Sequence, residues 1–320
     1  MLHEVGGGGH GTAADVTGRS AIRYSIGGRS HQADLYSTGT PAAAIVLVPG
    51  LAPEGKDDPR LVQLAGALAR ARFAVLVPDI ASLRAQRVSP ANVREIADAL
   101  THVATWEVTP ADRPRGVAAI SYAVGPAMLA TLEPDQRGEV DFLVGIGGYR
   151  DVASVVTYFT TGYSRDPGSG DWLQGQPNEY GKWLFVAANA VRVEDLRDRT
   201  SLTAMAGRRM RDPAADIGDL AALLGPEGRA VHSLLANGDP ALTPALIAEL
   251  PRGLREDLAA LDLRDRDLSG APRQVILVHG RDDRIVPVGE SIALAATLPE
   301  GSARLYLADR LAHANLEPGG

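Results

Sequence analysis

The 320-residue sequence contains no cysteine. Disulfides, thiolate metal sites and a cysteine nucleophile are thereby excluded, and pairing gives no reading of the redox compartment. Lysine is nearly as scarce: Lys56 and Lys182 are the only two, and the other cationic side chains are arginine. A net charge of −7 gives no electrostatic reason to expect nucleic acid or an anionic membrane surface as a partner. No run of about 18 apolar residues occurs, and the N-terminal MLHEVGGGGHGTAADVTG lacks the apolar core of a signal peptide. A cytoplasmic protein is the default reading, and 45 % hydrophobic residues suffice for a sizeable core.

The pattern that is present alternates strand and helix. Residues 1–19 are Gly-rich and aperiodic and read as a flexible arm, with His3 and His10 given no function. AIRYSI and HQADLY flank Gly27-Gly28 as a β-hairpin. AAAIVLVPG, FAVLVPD, GVAAI and VDFLVGIGG read as further strands, the first apolar throughout as befits a central strand. Helices are expected between them: from Asp57 or Asp58 and Pro59, from Ser89-Pro90, and over YAVGPAMLATL. The expectation is an α/β core of residues 20–150 and 269–320 with a doubly wound, mostly parallel sheet. Residues 151–268 offer only helical segments and read as an insertion after the sixth strand. The sheet resumes with RQVILVHG, a helix from about Gly289 to Leu298, and ARLYLAD.

The stretch VLVPGLAPEGKDDPRL, from Val46 to Leu61, has the spacing of a phosphate loop up to Lys56, and FAVLVPD could supply an acidic Asp79 for magnesium. Charge argues against that reading. Asp57 occupies the position of the magnesium-binding hydroxyl, and Asp57 and Asp58 would compete with phosphate for the helix N-terminus.

A second reading starts from three segments that each follow a predicted strand: VAAISYAVG with Ser121, VILVHGRDDRIVP with Asp283, and ARLYLADRLAHANLEP with His313. A strand–serine–helix turn holds a hydroxyl exposed above a sheet, and the chain order Ser, Asp, His is that of one class of triad enzymes. On these residues the chain resembles the α/β-hydrolase-fold serine hydrolases from about residue 21 to residue 314. Gly280, Asp283, Val286 and Pro287 fit that family's G-x-x-D-x-x-(V/I)-P pattern. The elbow departs from G-x-S-x-G, reading Ala119-Ile120-Ser121-Tyr122-Ala123 with the nearest glycine at Gly125.

The resemblance implies Ser121 as nucleophile, His313 as general base, Asp283 as its orienting acid, and an oxyanion hole from the Leu51 and Tyr122 N–H groups. It implies hydrolysis of a small-molecule carboxylic ester or related acyl compound through an acyl-enzyme, without metal or organic cofactor. The insertion would be a helical lid. A hydrolase-fold binding protein that has lost catalysis is the alternative, raised by the altered elbow. Asp282 and Asp151 are rival acids, His279 reads as a packing or loop-bonding residue, and His232 as a lid residue. Eight of the 15 aromatics (3 Trp, 8 Tyr, 4 Phe) lie between Tyr149 and Phe185, as either a substrate pocket or the packing of lid helices. Lys56 is the place to look for a contact with the lid. The chain stops seven residues after His313, where the family adds a closing helix; the expectation is a cut C-terminus, whose missing part could include a membrane anchor.

Overall fold

The computed structural model describes residues 18–106, 112–309, 311–313 and 315–316. Most of the arm expected over residues 1–19, with His3 and His10, lies outside them. Arg19 belongs to the core, opening the first strand. The strands before Asp309 are β1 (Arg19–Ile26), β2 (Arg29–Tyr36), β3 (Ala43–Val48), β4 (Phe73–Pro78), β5 (Arg115–Ile120), β6 (Phe142–Ile146), β7 (Tyr163–Arg165), β8 (Trp172–Gln174), β9 (Gln274–Gly280) and β10 (Ala303–Ala308). Eight of them form one sheet in the order β1-β2-β4-β3-β5-β6-β9-β10. All neighbours from β4 to β10 pair in parallel, and β2 alone runs against the rest.

Local chemistry explains the elements. Gly27 and Gly28, with φ of 54° and 80°, turn β1 into β2 through a two-residue loop whose positive φ angles glycine adopts without strain. β3 is buried at every position, as a strand flanked on both edges and covered on both faces must be. The helix Pro59–Arg70 starts at Asp58, whose side chain accepts from the Arg60 amide at 2.8 Å, with Pro59 in the first turn; the proline needs no N–H partner there. It packs Leu61, Ala65 and Ala69 on one sheet face, while helices Ala91–Ala104, Val124–Leu132 and Gly289–Thr297 cover the other.

Between β6 and β9 the chain builds a helical insertion with its own apolar centre, drawn from Val156, Trp183, Leu202, Met205, Leu234 and Leu254 among others. Its longer helices are Val152–Thr161, Glu179–Asn189, Leu196–Arg211, Pro226–Ala236 and Arg252–Leu261. The expectation of helix alone is corrected by the hairpin of β7 and β8. The insertion leaves and rejoins the sheet at one place: Leu263 N donates to Arg150 O at 3.1 Å, and the buried Tyr149 hydroxyl donates to Leu261 O at 3.2 Å. Among the described residues no helix is long and apolar enough to cross a membrane.

Candidate active site

Ser121 follows β5 directly and opens a single 3-10 turn, Ser121–Ala123, that runs into helix Val124–Leu132. Its φ is +57°, a conformation that costs a non-glycine residue about 1–3 kcal/mol and persists only where the surroundings impose it. Here parallel pairing with β3 and β6 fixes one side and the helix the other. Gly50, after β3, lies so close that a Cβ there would stand 3.5 Å from Ser121 Cβ and 3.3 Å from Ile120 O.

The Ser121 hydroxyl lies 2.7 Å from His313 Nε2, and His313 Nδ1 lies 3.0 and 3.2 Å from the two Asp283 carboxylate oxygens. Residues 121, 283 and 313 thus form one continuous relay. His313 sits in a turn with φ of +37°, between residues paired as Ala312 and Asn315. Gly280, the last residue of β9, explains how that turn reaches Ser121: a Cβ at Gly280 would land on the Leu311 carbonyl. The glycine of the G-x-x-D pattern is therefore a passage for the histidine-bearing segment.

Asp283 is buried, and its Oδ1 accepts from Ile285 N at 2.8 Å and Val286 N at 3.0 Å. Burial pushes its carboxyl up; the ring N–H groups of His279 and His313 and the Ile285 amide outweigh this and hold it well below the usual carboxylate range. It is a fixed anion facing Nδ1, which sets Nε2 as the nitrogen able to take a proton from Ser121.

The relay opens into a cavity of about 530 Å³ between the sheet ends and the insertion. Leu51, Ile120, Val286 and His313 form part of its floor, and Val152, Val156, Phe159, Leu184, Phe185 and Leu258 come from the insertion. Among the described residues the charged ones on its wall are Glu54, Asp58 and Arg60, of which Asp58 and Arg60 pair with each other at 2.6 Å. Leu51 and Tyr122 both line it. The Tyr122 hydroxyl accepts from Ser89 N at 3.0 Å and donates to Asn92 Oδ1 at 3.1 Å, which fixes the residue after Ser121. The Asn92 tether joins the first turn of helix Ala91–Ala104 to the turn after β5 and has no sequence signature.

No protein-family model matches the sequence, and no curated protein sequence matches it. Solved structures match by fold. The α/β hydrolase GrgF from Penicillium sp. sh18 gives a TM-score of 0.55 at 12 % identity, covering 92 % of this chain and 91 % of that one. This chain has the α/β-hydrolase fold. DcsB, solved with its substrate analogue, gives 0.50 at 15 % identity over 92 % of this chain and 91 % of that one. The 2,6-dihydroxy-pseudo-oxynicotine hydrolase gives 0.49 at 13 % over 92 % of this chain, which spans 63 % of that longer one.

Within the hydrolase fold the other sequence candidates take different places. Asp282 is exposed. Asp151 caps helix Val152–Thr161 through Ser154 N at 3.0 Å. His232 lies on helix Pro226–Ala236. Of the aromatic group, Tyr149, Phe159, Tyr180 and Phe185 line the cavity, Trp183 packs inside the insertion, and Trp172 is partly exposed beneath the Arg165 guanidinium; both readings of that cluster apply, to different members. The expected contact of Lys56 with the lid is corrected: its ammonium bonds Asp34 on β2 at 3.0 Å and Asp57 at 3.1 Å. Asp57 also pairs with Arg19, so of the two candidate caps only Asp58 caps the helix.

Proposed function

We propose that this chain is a serine hydrolase that cleaves an uncharged, apolar carboxylic ester through an acyl-enzyme. The observation that carries the reading is the unbroken relay from Ser121 through His313 to Asp283 at the floor of an apolar cavity. A hydroxyl is a weak nucleophile until a base takes its proton. As Ser121 Oγ bonds to the ester carbonyl carbon, its proton passes to His313 Nε2, and Asp283 stabilises the imidazolium through Nδ1–H. The carbonyl oxygen gains the negative charge, for which the Leu51 and Tyr122 N–H groups are the assigned donors. The bond to the leaving alkoxide then breaks and His313 returns the proton to it. Water repeats the sequence on the acyl-serine, releasing the acid and restoring Ser121.

The mostly apolar lining supports an ester with a hydrocarbon acyl or alcohol part, which would gain by burial against it. The insertion, which supplies much of that lining, is assigned the part of a lid over the site.

The test is labelling by a fluorophosphonate probe and hydrolysis of p-nitrophenyl esters, alongside Ser121→Ala. The unmutated chain is expected to label and turn over, and the variant to lose labelling and about 10⁴-fold or more of kcat. No labelling and no turnover by the unmutated chain would sink the enzyme reading and leave that of a binding protein. Equal labelling of both would remove Ser121 from the role.

A further inference from the structure

A second histidine stands behind the acid. His279 and Ser291 are fully buried and Asp283 nearly so. His279 Nε2 lies 3.0 Å from Val286 O and 3.4 Å from Asp283 Oδ2. Its Nδ1 lies 2.7 Å from Ser291 Oγ. Both groups facing Nε2 are acceptors, so in the neutral ring the proton belongs on Nε2. Nδ1 is then an acceptor, and the Ser291 hydroxyl donates to it.

The hydrogen bond proper is the one to Val286 O; the Asp283 oxygen, at 3.4 Å, is close enough for attraction by the same N–H but long for a bond. That division matters, because Val286 belongs to the turn that cradles the acid. Asp283 Oδ1 accepts from Ile285 N and Val286 N, and the opposite end of the Val286 residue is held by His279. The ring therefore fixes the turn that fixes the carboxylate. Removing it would leave a buried carbonyl without its donor, and the turn would have to shift to satisfy it.

We propose that His279 is a positioning residue for the Asp283–His313 pair, with Ser291 locking its tautomer and so tying the acid's orientation to helix Gly289–Thr297. This rests on the serine hydrolase reading. It touches neither substrate nor the reacting atoms, so its loss acts on kcat rather than on substrate binding.

The test compares His279→Leu, His279→Gln and Ser291→Ala with the unmutated chain, measuring thermal unfolding, fluorophosphonate labelling rate, kcat and KM on one p-nitrophenyl ester. Glutamine can present an N–H where Nε2–H stood; leucine cannot. Folded His279→Leu is expected to lose about tenfold to a hundredfold in kcat at unchanged KM, the range set by a hydrogen bond to a charged or buried group. His279→Gln is expected to recover most of it, and Ser291→Ala to show a smaller loss of the same kind. A His279→Leu chain with unchanged kcat, or a glutamine variant as impaired as the leucine one, overturns the proposal. If the leucine variant does not fold, unchanged kcat in Ser291→Ala overturns it. Absence of labelling in the unmutated chain would overturn the hydrolase reading and this inference with it, whereas normal labelling beside an indifferent His279→Leu overturns the inference alone.

Discussion

Two walls enclose the space above Ser121. The lower wall is made of segments at the strand ends, where Ser121 holds a φ of +57° and His313 one of +37°, and where Gly280 lies against the Leu311 carbonyl. The upper wall is made of helices whose contribution is bulk, with Val156, Phe159, Phe185 and Leu258 facing the cavity and no special conformation among them. On the proposed function the lower wall works only if each atom is in place, because proton transfer needs hydrogen-bond distance. The upper wall needs only to be apolar and of the right volume, which many side chains satisfy. Substitutions should therefore have large, all-or-none effects below and graded effects above.

The largest effect is expected where the relay is chemically broken without moving it. Asp283→Asn should keep the fold yet lower kcat by about 10⁴-fold, since the amide no longer fixes the productive tautomer of His313; steady-state hydrolysis of a p-nitrophenyl ester measures it. Gly280→Ala comes next. Its methyl must push the Leu311 carbonyl away, and a displacement of about 1 Å at His313 should cost about 10²-fold in kcat; unchanged kcat would show that the passage under Leu311 is dispensable. On the upper wall, Leu184→Trp should narrow the cavity, lowering kcat/KM for an octanoyl ester about tenfold while an acetyl ester is unaffected. Parallel losses for both esters would blur the distinction between the walls.

The smallest effect concerns the root of the insertion. Buried Glu290 accepts from Arg150 N at 2.9 Å and Asp151 N at 2.7 Å. Burial raises its pKa above the ordinary 4.5, outweighing those hydrogen bonds. The unfolded chain therefore gives up this proton first, so the associated stability is full below about pH 4.5 and is lost as pH rises through the folded value. Glu290→Gln keeps an acceptor oxygen but no titration. Urea midpoints taken from pH 4 to pH 7 should fall more steeply for the unmutated chain than for this variant; equal slopes would show that Glu290 does not contribute.

The sheet was legible because its strands are apolar and separated by helical segments: β3 reads as central from its side chains alone, and Asp58-Pro59 announces the helix it begins. The β7–β8 hairpin was not, since three-residue strands carry no period, and its turn is held by Asp166 accepting from the Gly168 and Ser169 amides. Lys56 was misplaced for a different reason. Its partner Asp34 is 22 positions earlier on β2, and no local pattern reports an ion pair formed across a fold. In the site, strand-end position and the G-x-x-D spacing singled out Ser121, Asp283 and His313, which the structure brings within hydrogen-bond reach of one another. The tethers behind them, His279 to Ser291 and Tyr122 to Asn92, escaped because each is an ordinary residue made special by a remote neighbour.

The elbow's alanines have a consequence for how such proteins are found. Ala119 and Ala123 are fully buried, and near them the glycines that close packing requires lie on the neighbouring strand and the loop after it: a Cβ on Gly145 or Gly148 would stand 2.9 or 2.5 Å from a Val124 methyl carbon. The close approach on this side of the elbow is therefore to Val124, three residues after the serine, and not to either alanine. A consensus pattern drawn along a single segment records residues 119 and 123 alone, so it passes over a chain in which both are alanine whatever glycines pack against the helix beside them. Glycine at 119 and 123 would bring the sequence into line with the pattern while removing two fully buried methyl groups from the core.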